Sequence, residues 1–276
     1  MAHFVKSHGL GNDYLVVDPH ALPFDLTPET VRVICDRRHG VGADGVLALD
    51  TPGGADFGLR IFNPDGSLAE TSGNGVRIFA KYLREHGRTD RDRFRIRTAG
   101  GVVTVRLELQ GHRVTSVTAD MGRAEFGELK ELELGGGRIR VTIVSLGNPH
   151  CVVLVDDVAA VDVMRLGPLI ERHEAFPQRT NVQFAQVRSR SEIEIRIWER
   201  GAGYTLASGT SSCAAVAAAQ RAGLVDREVV VTMPGGQLEV RIADQDDLWL
   251  RGPVEEVATG EFSPELVRAL RSARPV

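Results

Sequence analysis

Cysteine, aromatic residues and positive charge are all in short supply in this chain. The 276 residues hold only three cysteines, Cys35, Cys151 and Cys213, too few for a disulfide framework and suited to a reducing cytoplasm. Aromatic residues make up 5%, so the core has to be assembled mainly from Val, Leu, Ile and Ala. The net charge is −4, which argues against nucleic-acid binding, because such proteins normally carry a basic excess. No apolar run reaches the roughly 18 residues of a membrane span. The start, Met1-Ala2-His3-Phe4-Val5-Lys6, lacks the basic-then-apolar pattern of a secretory signal, and a cytoplasmic location is expected. What is plentiful is glycine: 30 residues, with 12 prolines, spread along the chain and marking many tight turns.

The chain repeats itself. Leu10-Gly11-Asn12 returns as Leu146-Gly147-Asn148, Arg60-Ile61-Phe62 as Arg196-Ile197-Trp198, and Ser72-Gly73 as Ser208-Gly209, each at an offset of 136. Gly100-Gly101 returns as Gly235-Gly236 at 135. A shared register across four matches predicts two homologous halves, roughly 1–118 and 119–261. The tail 262–276 reads as a closing helix that belongs with the first half, with Ser263 as cap, Pro264 in the first turn and Leu266, Val267 and Leu270 as its apolar stripe.

Strict alternation predicts strands at Phe94–Thr98, Val103–Leu109, Glu192–Trp198, Val229–Thr232 and Leu238–Ile242. Helical spacing predicts one helix over Gly75–Glu85, with Ile78, Phe79, Tyr82 and Leu83 facing inward. A second, over Ser212–Ala222, is so rich in alanine that close neighbours are expected around it. The fold class is α/β in the α+β sense, with two pseudo-symmetric halves, each a curved, mostly antiparallel sheet or barrel around a central helix.

Both helices start in small, flexible segments, 71–75 and 207–212. Backbone N–H groups at a helix start attract anions, so the pair of starts predicts carboxylate or phosphate binding. No P-loop lysine and no G-x-G-x-x-G spacing accompanies them. No Cys/His spacing resembles a zinc site, no G-x-S-x-G occurs, and no metal or cofactor is expected. Asn12, Asn63, Asn148, His150 and Asn181 sit beside Gly, Pro or strand ends, where turn chemistry alone also accounts for asparagine. Glu199-Arg200 directly follows an apolar strand; a strand-end functional pair and a surface salt bridge both fit.

Several segments together resemble the diaminopimelate epimerase family: His8-Gly9-Leu10-Gly11-Asn12-Asp13, Phe62-Asn63-Pro64-Asp65-Gly66-Ser67, Ser72-Gly73-Asn74-Gly75, Gly147-Asn148-Pro149-His150-Cys151, Arg179-Thr180-Asn181, Glu199-Arg200-Gly201-Ala202-Gly203 and Ser208-Gly209-Thr210. Pro234-Gly235-Gly236 and Gly260 fit the same pattern. The resemblance runs in order over nearly the whole chain. It implies a cofactor-free isomerase converting LL- to meso-diaminopimelate, a precursor of lysine and peptidoglycan, with a site between the halves, and a homodimer with no nucleic-acid or membrane partner. In that family one thiolate removes the α-proton and a second thiol delivers one to the opposite face. The resemblance puts the α-carboxylate on the backbone of Gly73, Asn74, Gly209 and Thr210. It puts the distal carboxylate on Asn63, Asn181 and Arg200, and the rest of the distal amino-acid group on Asn12, Asn148 and Glu199. His150 and Glu199 would assist the two proton-transfer residues.

This sequence departs from the family at four places. Serine stands at both thiol positions, as Ser72 and Ser208. Gly45 replaces the usual glutamine of a Gly-x-Gly-x-Asp segment, and Tyr204 replaces the usual glutamate ahead of the second thiol. An aliphatic hydroxyl is a far weaker acid than a thiol, whose ordinary pKa is about 8.5. Two other readings therefore stand beside epimerisation of diaminopimelate. One is a related isomerase or dehydratase of another small amino acid, with Ser72 or Ser208 in a one-base role and Glu199 or His150 as base. The other is a non-catalytic amino-acid-binding homologue.

Overall fold

The computed structural model describes residues 3–134 and 137–272, and the description that follows concerns those residues. They form two compact units. The first takes the chain up to Val117 and again from Pro253; the second runs from Thr118 to Gly252. The two α/β halves expected from the repeat had the second ending at 261. The chain in fact rejoins the first unit at Pro253, because the strand Glu255–Glu261 pairs antiparallel with the N-terminal strand His3–Gly9.

Five helices are described: α1 (Pro28–Cys35), α2 (Gly73–Glu85), α3 (Val163–Glu171), α4 (Gly209–Arg221) and α5 (Pro264–Ser272). In the first unit, Asn12–Val17 runs parallel to Val46–Asp50, with α1 in the connection. Val46–Asp50 pairs antiparallel with Phe57–Phe62, which runs parallel to Arg93–Thr98, with α2 in that connection. The second unit repeats the plan. Pro149–Leu154 is parallel to Asn181–Ser189 through α3, and Glu192–Glu199 is parallel to Glu228–Met233 through α4. Most other pairings are antiparallel, in keeping with the expected mixed α+β class.

The offset of 136 is carried into the helices, since α2 and α4 both begin and end 136 residues apart. α2 is buried from Gly73 to Leu83 and packs on the strands His3–Gly9, Asn12–Val17, Phe57–Phe62 and Gly101–Gln110. α4 is buried from Gly209 to Ala219, and its small side chains let strands approach on several sides, among them Pro149–Leu154, Asn181–Ser189 and Gly236–Ile242. Both helices start before the positions expected from the apolar stripe. Ser72 and Ser208 cap them, so the first turns are built from the Gly, Asn, Thr and Ser residues that carried no hydrophobic signal.

The shorter α1 and α3 were not among the expected elements. α1 starts at a reciprocal cap, in which Thr27 and Thr30 each accept the other's backbone N–H. Its Val31, Ile34 and Cys35 join a core with Leu15, Val17, Phe62 and Phe262. α3 contributes Val163 and Ile170 to a second core with Cys151, Val182 and Phe184. α5 forms as expected, with Leu266 N–H donating to Ser263 Oγ at 3.2 Å and Leu270 buried in the first core.

Candidate active site

In the first unit the start of α2 is the focus. Ser72 is its N-cap, extended at φ −146° and ψ 117°, and its Oγ accepts the Gly75 N–H at 3.0 Å. The remaining first-turn N–H groups, those of Gly73 and Asn74, lie outside the intrahelical ladder. The Asn74 side chain donates to Asn12 Oδ1 at 3.1 Å, and its own oxygen accepts from the fully buried Arg77 at 2.9 Å. Asn12 in turn donates to Asp44 Oδ2 at 3.1 Å. The chain of contacts ends in a charge cluster, where Arg37 bridges Asp13 at 2.6 Å and Asp44 at 2.7 Å and Lys6 reaches Asp13 at 3.0 Å. Burial raises the energy of the Asp13 charge, yet the bonds from Arg37 and Lys6 outweigh it and hold the carboxyl below its usual range. Asn12 and Asn74 are thus brought together and held in one orientation. Asn63 is held elsewhere in the unit, in its own turn after Phe57–Phe62, where its amide donates to Ser67 Oγ at 3.0 Å.

In the second unit Ser208 repeats the cap at φ −148° and ψ 127°, accepting the Ser211 N–H at 3.4 Å. Ser208 and Thr210 are both buried. Asn148, His150 and Asn181 converge because Pro149–Leu154 and Asn181–Ser189 run side by side with His150 opposite Asn181. Asn181 donates to the Pro149 carbonyl at 3.0 Å and accepts the Arg200 N–H at 2.9 Å. Arg200 follows Glu199, which ends the strand Glu192–Glu199, and the turn closes as Ala202 N–H donates to the Glu199 carbonyl at 3.2 Å. Asn148, His150, Asn181 and Arg200 therefore form one group, with Glu199 adjoining it in the chain.

His150 is fully buried and both ring nitrogens are engaged. Gln183 Nε2, a donor, lies 3.0 Å from Nδ1, and Asn148 Oδ1, an acceptor, lies 2.9 Å from Nε2. One neutral tautomer satisfies both contacts, with the proton on Nε2. Burial lowers the pKa of the ring to about 3, with Arg200 acting in the same direction. His150 is a fixed, uncharged dipole that orients Asn148.

The departures from the family pattern have distinct surroundings. Gly45 is buried, and a Cβ there would lie 2.4 Å from the Phe62 carbonyl oxygen and 2.7 Å from Cε1 of Tyr14. Tyr204 is 39% exposed and lines a pocket of about 410 Å³ with Val158, Asp162, Met164 and Arg196. The remaining cysteines do not substitute for the absent thiols. All three are buried, and burial pushes Cys35 and Cys151 up to about 12, where they stay protonated. Among the described residues, no group of three His, Cys, Asp or Glu side chains is placed to hold a metal ion.

Four participants escaped sequence reasoning. Tyr14, whose hydroxyl is 3.3 Å from Ser72 Oγ, had a signal in its period-two spacing from Asn12. Arg77 looked like an ordinary polar position on the expected helix, and Gln183 lies on the strand Asn181–Ser189, which no alternation had marked. Glu171 is buried at the end of α3, accepting from Trp198 Nε1 at 2.8 Å and from Gly201 N–H at 3.2 Å, and no local pattern announces it.

The family model described as diaminopimelate epimerase matches residues 4–127 and 142–261. The chain is 45% identical to diaminopimelate epimerase 2 of Nostoc sp. strain PCC 7120, with 95% of this chain and 96% of that protein aligned. It is 46% identical to the diaminopimelate epimerase of Pelotomaculum thermopropionicum over 94% of this chain and 98% of that one. Among solved structures, a probable proline racemase from Agrobacterium radiobacter K84 has a similar fold, with a TM-score of 0.76, 17% identity, and coverage of 97% of this chain and 96% of that one. A hydroxyproline epimerase from Agrobacterium vitis gives 0.74 at 17% identity, covering 94% of this chain and 91% of that one. The chain belongs to the diaminopimelate epimerase family.

Proposed function

We propose that this protein is a cofactor-independent amino-acid epimerase acting on diaminopimelate, with Ser72 and Ser208 at the two proton-transfer positions. The observation that carries the reading is the duplicated helix start, Ser72-Gly73-Asn74 and Ser208-Gly209-Thr210, capped with the same backbone geometry in a chain of this family. The first-turn N–H groups at Gly73, Asn74, Gly209 and Thr210 would take the α-carboxylate, helped by the positive ends of two helix dipoles. The same groups would stabilise the negative charge that develops when the α-proton leaves, with no reorganisation during the reaction. Asn63, Asn181 and Arg200 would hold the distal carboxylate. Asn12, Asn148 and Glu199 would complete recognition of the distal amino-acid group. Neutral His150 assists by orientation, and Glu199 by its carboxylate. The reading includes a cytoplasmic homodimer, whose assembly sedimentation analysis tests directly.

The test is incubation with LL- and meso-diaminopimelate in deuterated water, followed by NMR of the α-position. Exchange with inversion is the expected result. Absence of both exchange and inversion overturns the reading. Serine at both thiol positions favours a second reading, one-base chemistry on another small amino acid, and exchange without inversion is its mark. Binding with no exchange of any candidate amino acid points to an amino-acid-binding protein instead.

A further inference from the structure

Tyr14 and His150 stand 136 residues apart, in the register that relates Asn12 to Asn148 and Ser72 to Ser208. Each lies two residues beyond its asparagine and near the start of its own unit's long helix. His150 meets α4 indirectly, through Gln183, whose amide donates to Ser211 Oγ at 3.0 Å. Tyr14 meets α2 directly, at the cap oxygen of Ser72. Asn12 and Tyr14 share one face of their strand, so the same face that fixes Asn74 also delivers the phenol to Ser72.

The ring of Tyr14 needs the space at Gly45. A Cβ at that position would be 2.7 Å from Cε1 and 3.0 Å from Cδ1 of the ring, and 2.4 Å from a backbone oxygen that has little freedom to move. A side chain at 45 would crowd both the Phe62 carbonyl and the ring of Tyr14. The hydroxyl at 72 is the weak point of the proposed reaction, because an alcohol gives up its proton much less readily than a thiol. A phenol is the more acidic of the two hydroxyls.

We propose that Tyr14 is the proton relay of Ser72, exchanging a proton with its Oγ as Ser72 exchanges one with the substrate α-carbon. Ser72 Oγ already accepts from the Gly75 N–H, which leaves it one lone pair and its own proton. In the base state Tyr14 is a phenolate that accepts the Ser72 O–H, and the free lone pair of Ser72 faces the α-hydrogen. When the C–H bond breaks, that proton joins Ser72 Oγ and the original Ser72 proton passes to Tyr14, leaving a neutral phenol and the carbanion. In the acid state the flow reverses: Ser72 protonates the carbanion, Tyr14 reprotonates Ser72, and a phenolate results. Protons and charge balance in both directions with no other reactant.

This inference rests on the epimerase reading for its catalytic part, and two measurements keep them separate. The first needs no turnover. The chain has three tyrosines, so 13C-tyrosine labelling gives three resonances, and Tyr14→Phe identifies one of them. Ser72→Ala removes the donor to the phenolate, so the titration midpoint of Tyr14 should rise, while Tyr82 and Tyr204 stay where they are. A Tyr14 midpoint unmoved by Ser72→Ala overturns the relay. The second is kinetic. Tyr14→Phe keeps the packing and should slow α-proton exchange by at least tenfold more in the Ser72 protein than in a Ser72→Cys background, where a thiol needs no relay. It should also remove the alkaline rise of the pH–rate profile. Equal losses in the two backgrounds make Tyr14 a packing residue and overturn the proposal. A wild-type protein that exchanges no α-proton overturns the function proposed above, and the titration of Tyr14 still decides whether the pair is coupled.

Discussion

Ser72 and Ser208 are the same structural residue in two copies: each caps a 13-residue helix through its side-chain oxygen, at 3.0 Å from Gly75 N and 3.4 Å from Ser211 N. A hydroxyl is a good N-cap and a poor proton donor; a thiol reverses both properties. The double variant Ser72→Cys with Ser208→Cys is expected to raise the rate of diaminopimelate inversion at least a hundredfold. It should lose about 1 kcal/mol of stability for each cap weakened. Each single variant should recover far less inversion, because inversion needs a donor and an acceptor. Chiral analysis of the product, together with urea unfolding, checks both halves of the expectation. A double variant that folds and binds diaminopimelate yet neither inverts nor exchanges it removes diaminopimelate as the substrate.

Arg200 has its backbone N–H on Asn181 and its side chain near the Gln178 carbonyl, at 3.5 Å. Arg200→Ala should weaken binding of a diamino dicarboxylate by about 2 kcal/mol, the usual scale of a charge-assisted bond, and leave a monocarboxylate analogue nearly unaffected. Calorimetric titration with both ligands separates this from a general loss, which would weaken them equally.

Glu171 anchors the turn that carries Arg200. Its two oxygens accept from Trp198 Nε1 and Gly201 N–H, and Arg179, held at φ 59°, lies 3.7 Å away. Glu171→Ala leaves these part-buried donors without their acceptor and should cost about 2 kcal/mol of stability. Its kinetic signature should be a raised KM with a smaller change in kcat, since the turn binds rather than reacts. Thermal unfolding and steady-state kinetics of the same preparation measure the two effects; an unchanged KM removes Glu171 as the anchor.

His150 makes the second unit sensitive to acid. The folded state keeps the ring neutral down to a pKa of about 3, whereas an unfolded histidine takes its proton near 6.5. Between those values the unfolded state binds the extra proton, so stability is fully present above about pH 6.5 and falls as pH drops towards 3. His150→Gln should unfold more easily at pH 7 but show a flatter decline below pH 6. Unfolding free energies measured from pH 7 to pH 4 provide the check, and parallel slopes in the two proteins exclude His150 as the cause.

Much of this architecture was legible in the sequence. The shared offset of 136 disclosed the duplication, and α2 and α4 keep it residue for residue. Alternation located Arg93–Thr98 and Glu228–Met233 to within a residue or so, because each such strand buries one face and exposes the other. α1 and α3 were hidden because they are short and their caps resemble loop sequence. The return of the chain at Pro253 was hidden because pairing between strands at opposite ends of the chain, from His3 with Glu261 to His8 with Glu255, leaves no local trace.

By itself the sequence determined the two halves, the central helices and the order of family motifs, since periodicity and spacing are local quantities written along the chain. Only the tertiary structure decided what those residues can do. It decided that His150 is neutral, because the burial that lowers its pKa comes from packing. It decided that Cys35 and Cys151 are inert, by enclosing them. It closed the space at Gly45, where a Cβ would meet the Phe62 carbonyl oxygen and the ring of Tyr14. Acidity and reach depend on neighbours brought together through space, and one-dimensional spacing does not carry them.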